Sequence, residues 1–110
     1  MNIFIEAIDR RGYKIICTKE IWFNKILVSR PWMKGWEGLV KEAIQNHSFI
    51  CEDTQHHDRI VYYWLHRTRL HNYIRVVARI NAKNEGFVIS AFPSDSGKQK
   101  ENVIWLPSKA

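Results

Sequence analysis

Residues 55–70 of the chain, QHHDRIVYYWLHRTRL, contain three histidines, three arginines and three large aromatic side chains. A histidine can exchange a proton near neutral pH, an arginine can bind phosphate oxygens through its forked guanidinium, and an aromatic ring can stack on an unpaired base. An RNA-cleaving site that uses the 2′-OH as nucleophile needs a base, an acid and cations, but no metal. The composition therefore suits a ribonuclease, although the polar side of an ordinary basic β-sheet has the same composition.

The length and charge of the chain limit the class of protein. Its 110 residues predict one domain, residues 1–110, large enough for a hydrophobic core without a disulfide or a metal. A hydrophobic fraction of 45% with five tryptophans excludes a disordered chain. The net charge of +6 favours an anionic partner, and nucleic acid is the first candidate.

Cys17 and Cys51 are the two cysteines of the chain. They form no CxxC pair, so we expect no zinc site, no other metal and no cofactor. The start, MNIFIEAIDR, lacks the basic region and the cleavage site of a signal peptide, and no apolar stretch approaches the ~20 residues of a membrane span. The sequence therefore predicts a cytoplasmic protein with no membrane partner and two reduced, buried cysteines.

Alternating apolar residues predict β-strands over most of the chain. The two at the N-terminus form a hairpin around Gly12, which can adopt a positive φ. The later strands follow one another as a meander. The predicted strands cover residues 2–9, 13–17, 49–52, 59–66, 73–80 and 87–92, with a short edge strand at 103–106.

Two helices are predicted between the hairpin and the meander. The first begins after Thr18, a suitable N-cap, and ends before Pro31, because the residue ahead of a proline avoids the helical basin. The second spans residues 36–46, where the apolar residues share one face. We therefore expect an α+β fold, with an N-terminal hairpin and two helices packed on one face of a four- to five-stranded antiparallel sheet.

The sheet face away from the helices carries the candidate site. In strand 73–80, Arg75 and Arg79 alternate with the apolar residues that must face the helices. The register expected for the next strand buries Phe87, Ile89 and Ala91. Ser90 then lies on the open side of the sheet, diagonal to Arg79.

Strand 59–66 has two possible phases. One phase buries Ile60, Tyr62 and Trp64 and leaves Arg59 and Tyr63 on the open side. The other exposes Tyr62, Trp64 and His66 instead. We favour the first phase, because Arg59 then joins the two arginines of the neighbouring strand.

Several short motifs make the chain resemble a known superfamily. They are Asp9-x-x-Gly12-x-x-Ile15, Thr18-x-x-x-Trp22, Lys25-Ile26-Leu27-x-x-Arg30-Pro31, Tyr73-x-x-Val76-Val77 and Val88-Ile89-Ser90-Ala91-Phe92. Together they resemble the barnase–EndoU–colicin–RelE-like superfamily of small, metal-independent α+β ribonuclease domains, found in phage proteins, polymorphic toxins and toxin–antitoxin systems. The resemblance implies a toxin-like endoribonuclease that acts on RNA, with an antitoxin or immunity protein as a further partner.

The resemblance also implies roles for individual residues. The family has histidines where this chain has Lys25 and Arg30, which keep a positive charge for phosphate, although arginine cannot act as a base. Ser90 matches the Ser/Thr of the last-strand motif, and Arg59 matches a basic residue at the start of the middle strand. His57, just before Arg59, is the nearest substitute for the missing imidazole.

The first hypothesis is therefore an RNA endonuclease. Its catalytic residues are His57, Arg59, Arg79 and Ser90, and its substrate-binding residues are Lys25, Arg30, Tyr63 and Arg75. His57 would act as the general acid or base, while the arginines bind the scissile phosphate.

Two other interpretations stay open at this point. The same fold would serve as a catalytically inactive module that holds nucleic acid or protein, and the replacement of the family histidines favours it. The segment RPWMKGW favours a protein-binding surface of Trp32, Trp36 and Trp105, since exposed tryptophans are typical of interfaces. The arginines and histidines also suit a solvated surface without a role. The oligomeric state is open.

Overall fold

Seven strands and two short helical segments make up the computed structural model, which describes residues 2–66, 71–95 and 101–107. The strands are β1 Ile3–Ile8, β2 Lys14–Thr18, β3 Phe49–Asp53, β4 Arg59–Leu65, β5 Tyr73–Ile80, β6 Glu85–Ser94 and β7 Glu101–Trp105. Helix α1 covers residues 19–29, with a π-helical part at Trp22–Ile26, and helix α2 covers Glu37–Gln45. A 3-10 turn, Pro31–Met33, lies between them. No helix within these ranges is long and apolar enough to cross a membrane.

The seven described strands form one mixed sheet in the order β1-β2-β6-β5-β4-β3-β7. Neighbouring strands are antiparallel except β2 and β6, which pair in parallel over residues 14–16 and 85–87. The expected four- to five-stranded antiparallel sheet is therefore wrong. The N-terminal hairpin is part of the sheet, because β2 pairs with the start of β6, and the helices make up a smaller share of the fold than expected.

The turn between β1 and β2 is held by Asp9 and Gly12. The Asp9 carboxylate accepts hydrogen bonds from the backbone N–H groups of Arg11 (2.8 Å) and Tyr13 (3.1 Å). Gly12 has a φ of +90°, which a residue with a Cβ adopts only with strain. The predicted turn between β1 and β2 is thus confirmed, and the Asp9 side chain is buried.

The start and end of α1 follow from two residues. The Thr18 side chain accepts a hydrogen bond from the Ile21 N–H (3.3 Å) and so caps the helix. Arg30, ahead of Pro31, has a φ of −138° and a ψ of 74°, outside the helical basin. Both features agree with the sequence prediction.

The main core lies between the helices and one side of the sheet, called here the helix-covered face. Val40, Ala43 and Ile44 of α2 are fully buried there, because they share one side of the helix. Trp22 and Ile26 of α1 are buried as well. The strands contribute Ile5, Ala7, Ile15, Cys17, Ile50, Ile60, Tyr62, Ile74, Val76, Ala78, Val88 and Ala91.

The other side of the sheet, called here the open face, has a smaller apolar cluster. Its buried members are Cys51, Val61, Tyr63 and Val77, and Phe49, Tyr73 and Ile89 pack against them. Cys17 and Cys51 are both free and buried, as predicted. This second cluster lies on β3, β4, β5 and β6, where the candidate site was predicted.

The predicted phases of β4 and β5 are confirmed. Ile60 and Tyr62 belong to the helix-covered face, and Arg59 and Tyr63 therefore belong to the open face. In β5, Ile74, Val76 and Ala78 are buried beneath the helices. Arg75 and Arg79 lie on the other side.

The predicted phase of β6 is wrong near its start. A register shift falls between Val77 and Ala78, which pair with Ser90 and Val88 respectively. Ile89 is the extra residue of this β-bulge. Val88, which was expected on the open face, is therefore buried in the main core, and Phe87 is opposite Arg79 on the open face.

Candidate nucleic-acid interface

Arg59 and Arg79 form a pair of like charges on the open face. They are direct cross-strand partners in the β4–β5 ladder, so their side chains leave the sheet side by side. The Arg79 side chain is 56% exposed, and its Nε lies 3.5 Å from a carboxylate oxygen of Asp58, which is also exposed. Arg59 is half-buried, and its Nε has no hydrogen-bond partner in the described part of the chain.

Phe87 and Ser90 lie beside this pair on β6. Phe87 is the cross-strand partner of Arg79 and is partly exposed. Ser90 pairs with Val77, which places it diagonal to Arg79 on the same face, as predicted. The structure thus brings three of the four predicted catalytic residues together on one face: Arg59, Arg79 and Ser90.

His57, the fourth, is held by a different contact. Its Nδ1 lies 2.8 Å from Oε1 of Glu52, and the ring is 82% exposed. Glu52 pairs with Ile60, a residue of the helix-covered face. The carboxylate that holds His57 therefore belongs to the side of the sheet opposite Arg59 and Arg79.

The other histidines also have their own surroundings. His47 is completely buried. His66 stacks on Trp64 with 4.5 Å between the ring centroids. His71 Nδ1 lies 3.2 Å from the Asp95 carboxylate. His56 is exposed in the loop before β4.

Tyr63 and Arg75, two of the predicted substrate-binding residues, bind a carboxylate of the protein itself. The Tyr63 hydroxyl donates to Oε2 of Glu101 (2.5 Å), and Arg75 donates to Oε1 of Glu101 (2.5 Å) and to the Tyr63 oxygen (3.0 Å). The Arg75 and Glu101 side chains are only 12% and 3% exposed. Tyr63 is completely buried, so its ring offers no surface to a base in this conformation.

The pKa values of this network follow from its burial and its hydrogen bonds. Burial raises the pKa of Tyr63, and the hydrogen bond to Glu101 raises it further. Burial opposes the charged form of Arg75, but its bonds to Glu101 and Tyr63 outweigh that effect, and the pKa of Arg75 is raised. The network therefore consists of a neutral phenol and a charged guanidinium.

Arg30 and Lys25, the other two predicted binding residues, come from α1. The Arg30 guanidinium lies 4.5 Å from the Phe92 ring centroid, and Arg75 lies 4.9 Å from the same centroid. Arg30 thus joins the Arg75 end of the open face. Lys25 is exposed in the π-helical part of α1, which packs on the helix-covered face, so it lies apart from Arg59 and Arg79.

Sequence reasoning missed a buried polar group on the helix-covered face. Asp9 is 3% exposed, and its Oδ2 accepts hydrogen bonds from the Tyr62 hydroxyl (2.6 Å) and from the Arg11 guanidinium (3.1 Å). His47 accepts the Arg10 backbone N–H at Nε2 (3.2 Å) and packs edge-on against Trp105. The position of Asp9, three residues before Gly12, is typical of a turn and could have drawn attention to it. Nothing in the sequence indicates that His47 is buried.

Glu101 was also missed. It lies at the end of a polar stretch, residues 93–101, whose composition is typical of a solvated loop. Residues 96–100 lie outside the described ranges, whereas Pro93 and Ser94 belong to β6 and Glu101 begins β7. The sequence around Glu101 does not indicate that this side chain is buried against an arginine.

The comparisons with known proteins add no relative. No family model, no curated protein and no solved structure matches the chain. In the described ranges no three histidine, cysteine, aspartate or glutamate side chains are placed to hold a metal ion together.

Proposed function

We propose that the protein binds single-stranded RNA on its open face, with Arg59 and Arg79 holding a phosphate of the RNA backbone. The observation that carries this proposal is the direct cross-strand pairing of these two arginines. Like charges placed opposite each other on a sheet destabilise the free protein. A phosphate bound between the two guanidiniums reverses the sign of that interaction, because each guanidinium donates to its oxygens.

Phe87 and Ser90 support a single-stranded ligand. Phe87 lies directly beside Arg79 and is partly exposed, so an unpaired base next to the bound phosphate can stack on its ring. Ser90 adds a hydroxyl that can donate to a phosphate or to a 2′-OH. Single-stranded nucleic acid binds to surfaces of this kind, where arginines contact the phosphates and an aromatic ring stacks on a base.

The test is a gel-shift titration of a labelled single-stranded RNA with the wild type, Arg79→Gln and Lys41→Gln. Lys41 is exposed on α2, away from the open face, and its change removes the same charge. We expect Arg79→Gln to weaken binding about tenfold, the loss of a charge-assisted hydrogen bond. Lys41→Gln should change the affinity about twofold at most. Equal affinities for the two variants would contradict the proposal.

Metal-independent RNA cleavage is a second candidate function, and one observation favours it. His57 is exposed and its Nδ1 lies 2.8 Å from Oε1 of Glu52, an arrangement in which a carboxylate orients an imidazole. The residue lies two positions before Arg59 in the chain.

Cleavage is tested by incubating RNA with the protein in EDTA. If His57 is the acid or base, a 2′,3′-cyclic phosphate product forms, and His57→Ala reduces its rate about 10²-fold or more. His56→Ala, at the exposed neighbouring position, is the control and should leave the rate unchanged. Intact RNA that still shifts in the gel would reject cleavage and leave the binding function.

A further inference from the structure

Glu101 is held as a phosphate would be held. Its two carboxylate oxygens accept hydrogen bonds from a guanidinium and a phenol, at 2.5 Å each. Arginine and tyrosine donors in this arrangement are a general anion site, since carboxylate and phosphate present similar oxygens to a guanidinium. The site lies on the same face as Arg59 and Arg79.

Glu101 belongs to an edge strand of the described sheet. Within the described ranges, β7 is the last strand and its backbone pairs with β3, with a register shift between Ile50 and Cys51. Val103 and Ile104 are 54% and 43% exposed, so the middle of β7 buries little apolar surface. The described buried contacts of β7 are concentrated at its two ends, at Glu101 and at Trp105, which packs on His47 (4.5 Å). A short edge strand with an exposed middle opens at a lower free-energy cost than the central strands of a sheet.

We propose that Glu101 occupies a second phosphate site of the open face, and that bound RNA displaces β7 from β3 to reach Arg75 and Tyr63. This inference rests on the proposed RNA-binding function. Displacement of β7 removes Glu101 from the Tyr63 hydroxyl and from the Arg75 guanidinium, and both donors are then available to a phosphate. The Tyr63 ring itself stays packed against Phe49 (4.8 Å) and Tyr73 (6.0 Å).

The distance between the two sites sets the kind of RNA that uses both. Arg75 and Arg79 are four residues apart on β5 and face the same side, so their Cα atoms are about 13 Å apart. An RNA chain of several nucleotides spans this distance, and a mononucleotide does not. We expect oligonucleotides, but not mononucleotides, to compete with Glu101.

The first test compares Glu101→Gln with Glu20→Gln in the gel-shift titration. Both changes remove one negative charge, but Glu20 is exposed on α1. Glu101→Gln removes the charge that holds Arg75, which makes the side chain easier for a phosphate to displace. We therefore expect this variant to bind RNA about tenfold more tightly than the wild type, and more tightly than Glu20→Gln. An affinity equal to that of Glu20→Gln, or weaker than the wild type, would overturn the inference.

The second test keeps Glu101 and locks β7 to β3. Cys51 and Val103 are direct partners in the β3–β7 ladder, at a spacing that a disulfide accepts. In Val103→Cys, oxidation should weaken RNA binding about tenfold, and reduction should restore the wild-type affinity. The wild type, treated in the same two ways, should not respond. Equal affinities of the two redox forms, with the disulfide verified by mass, would overturn the inference even if Glu101→Gln does not fold.

These outcomes distinguish the displacement of β7 from the RNA-binding function on which it rests. If Arg79→Gln loses RNA binding while the Glu101 and Val103 variants bind as the wild type does, the proposed function holds and the displacement of β7 is rejected. If the wild type, Glu101→Gln and reduced Val103→Cys all fail to bind RNA, both are rejected.

Discussion

His47 and Asp9 lie inside the core as polar side chains with very different partners. Asp9 has a guanidinium, a phenol and two backbone N–H groups around its carboxylate, so its burial is compensated. His47 accepts one N–H at Nε2, and its Nδ1 has no hydrogen-bond partner among the described residues. Its imidazole is therefore held neutral, with the proton on Nδ1.

Stability should depend on pH because of His47. Burial, together with Arg10 and Arg11, lowers the pKa of this imidazole to about 4, although Asp9 acts in the opposite direction. In the unfolded chain the pKa returns to about 6.5, so the unfolded state takes up a proton first as the pH falls. The contribution of neutral His47 to the free energy of unfolding is fully present above pH 6.5 and is lost as the pH falls from about 6.5 to 4. It amounts to about 3 kcal/mol.

The measurement is the free energy of unfolding in urea from pH 7.5 to pH 4. His47→Gln keeps an acceptor for the Arg10 N–H but does not titrate, so its stability should fall much less over this range. His56→Gln, at an exposed position, should follow the wild type. A wild-type profile that His47→Gln reproduces would show that His47 does not cause the pH dependence.

At the residue scale, the sequence predicts which side chains share the open face but not which of them are already occupied. Alternation in β4 and β5 is sufficient to group Arg59, Tyr63, Arg75 and Arg79, and the structure confirms that grouping. The partner of Tyr63 and Arg75 is Glu101, which follows Arg75 by 26 residues in the chain. A contact between such distant residues leaves no local pattern.

At the scale of the elements, the sequence predicts the individual strands and helices but not how distant strands pair. The hairpin, both helices and the meander have spans close to those that periodicity and capping predict. The arrangement of the sheet was mispredicted, because the parallel pairing of β2 with β6 joins residues about 70 positions apart. The bulge at Ile89 shifts the phase of β6 for a similar reason: the opposite strand imposes it, and the sequence still alternates.

Where β2 pairs with β6, position 86 has no space for a side chain. A Cβ at this position would lie 2.5 Å from Cδ1 of Ile15 and 2.7 Å from Cδ1 of Ile80. Because Ile15 is completely buried, its side chain has little space to move, and Gly86→Ala should lower the free energy of unfolding by about 1–3 kcal/mol.

Gly38 provides the matched control. It lies within α2, and a Cβ there would meet no atom of the described residues within 4 Å. Gly38→Ala should therefore raise stability by about 0.5–1 kcal/mol, the gain in helix propensity. Thermal unfolding of the two variants checks the pair. A neutral or stabilising Gly86→Ala would show that the junction is less tightly packed than described.

On the scale of the whole molecule, the described cationic side chains lie on both sides of the sheet. The helical side exposes Lys19, Lys25, Lys34 and Lys41, whereas the open face combines Arg59 and Arg79 with nearby carboxylates. A nonspecific attraction for RNA would therefore involve the lysines as much as the arginines. Only a site on the open face makes one arginine matter more than an exposed lysine.

We propose that Arg79 serves RNA binding and contributes little to stability. The most direct test measures the salt dependence of RNA binding and the free energy of unfolding for the wild type, Arg79→Gln and Lys41→Gln. We predict that Arg79→Gln reduces the slope of log K against log salt by about 0.7–1 and weakens binding about tenfold. Its free energy of unfolding should change by less than about 1 kcal/mol, because relief of the like-charge pair with Arg59 offsets the loss of the exposed Asp58 ion pair. Unaltered RNA binding, or a loss that follows a loss of stability, would contradict the account.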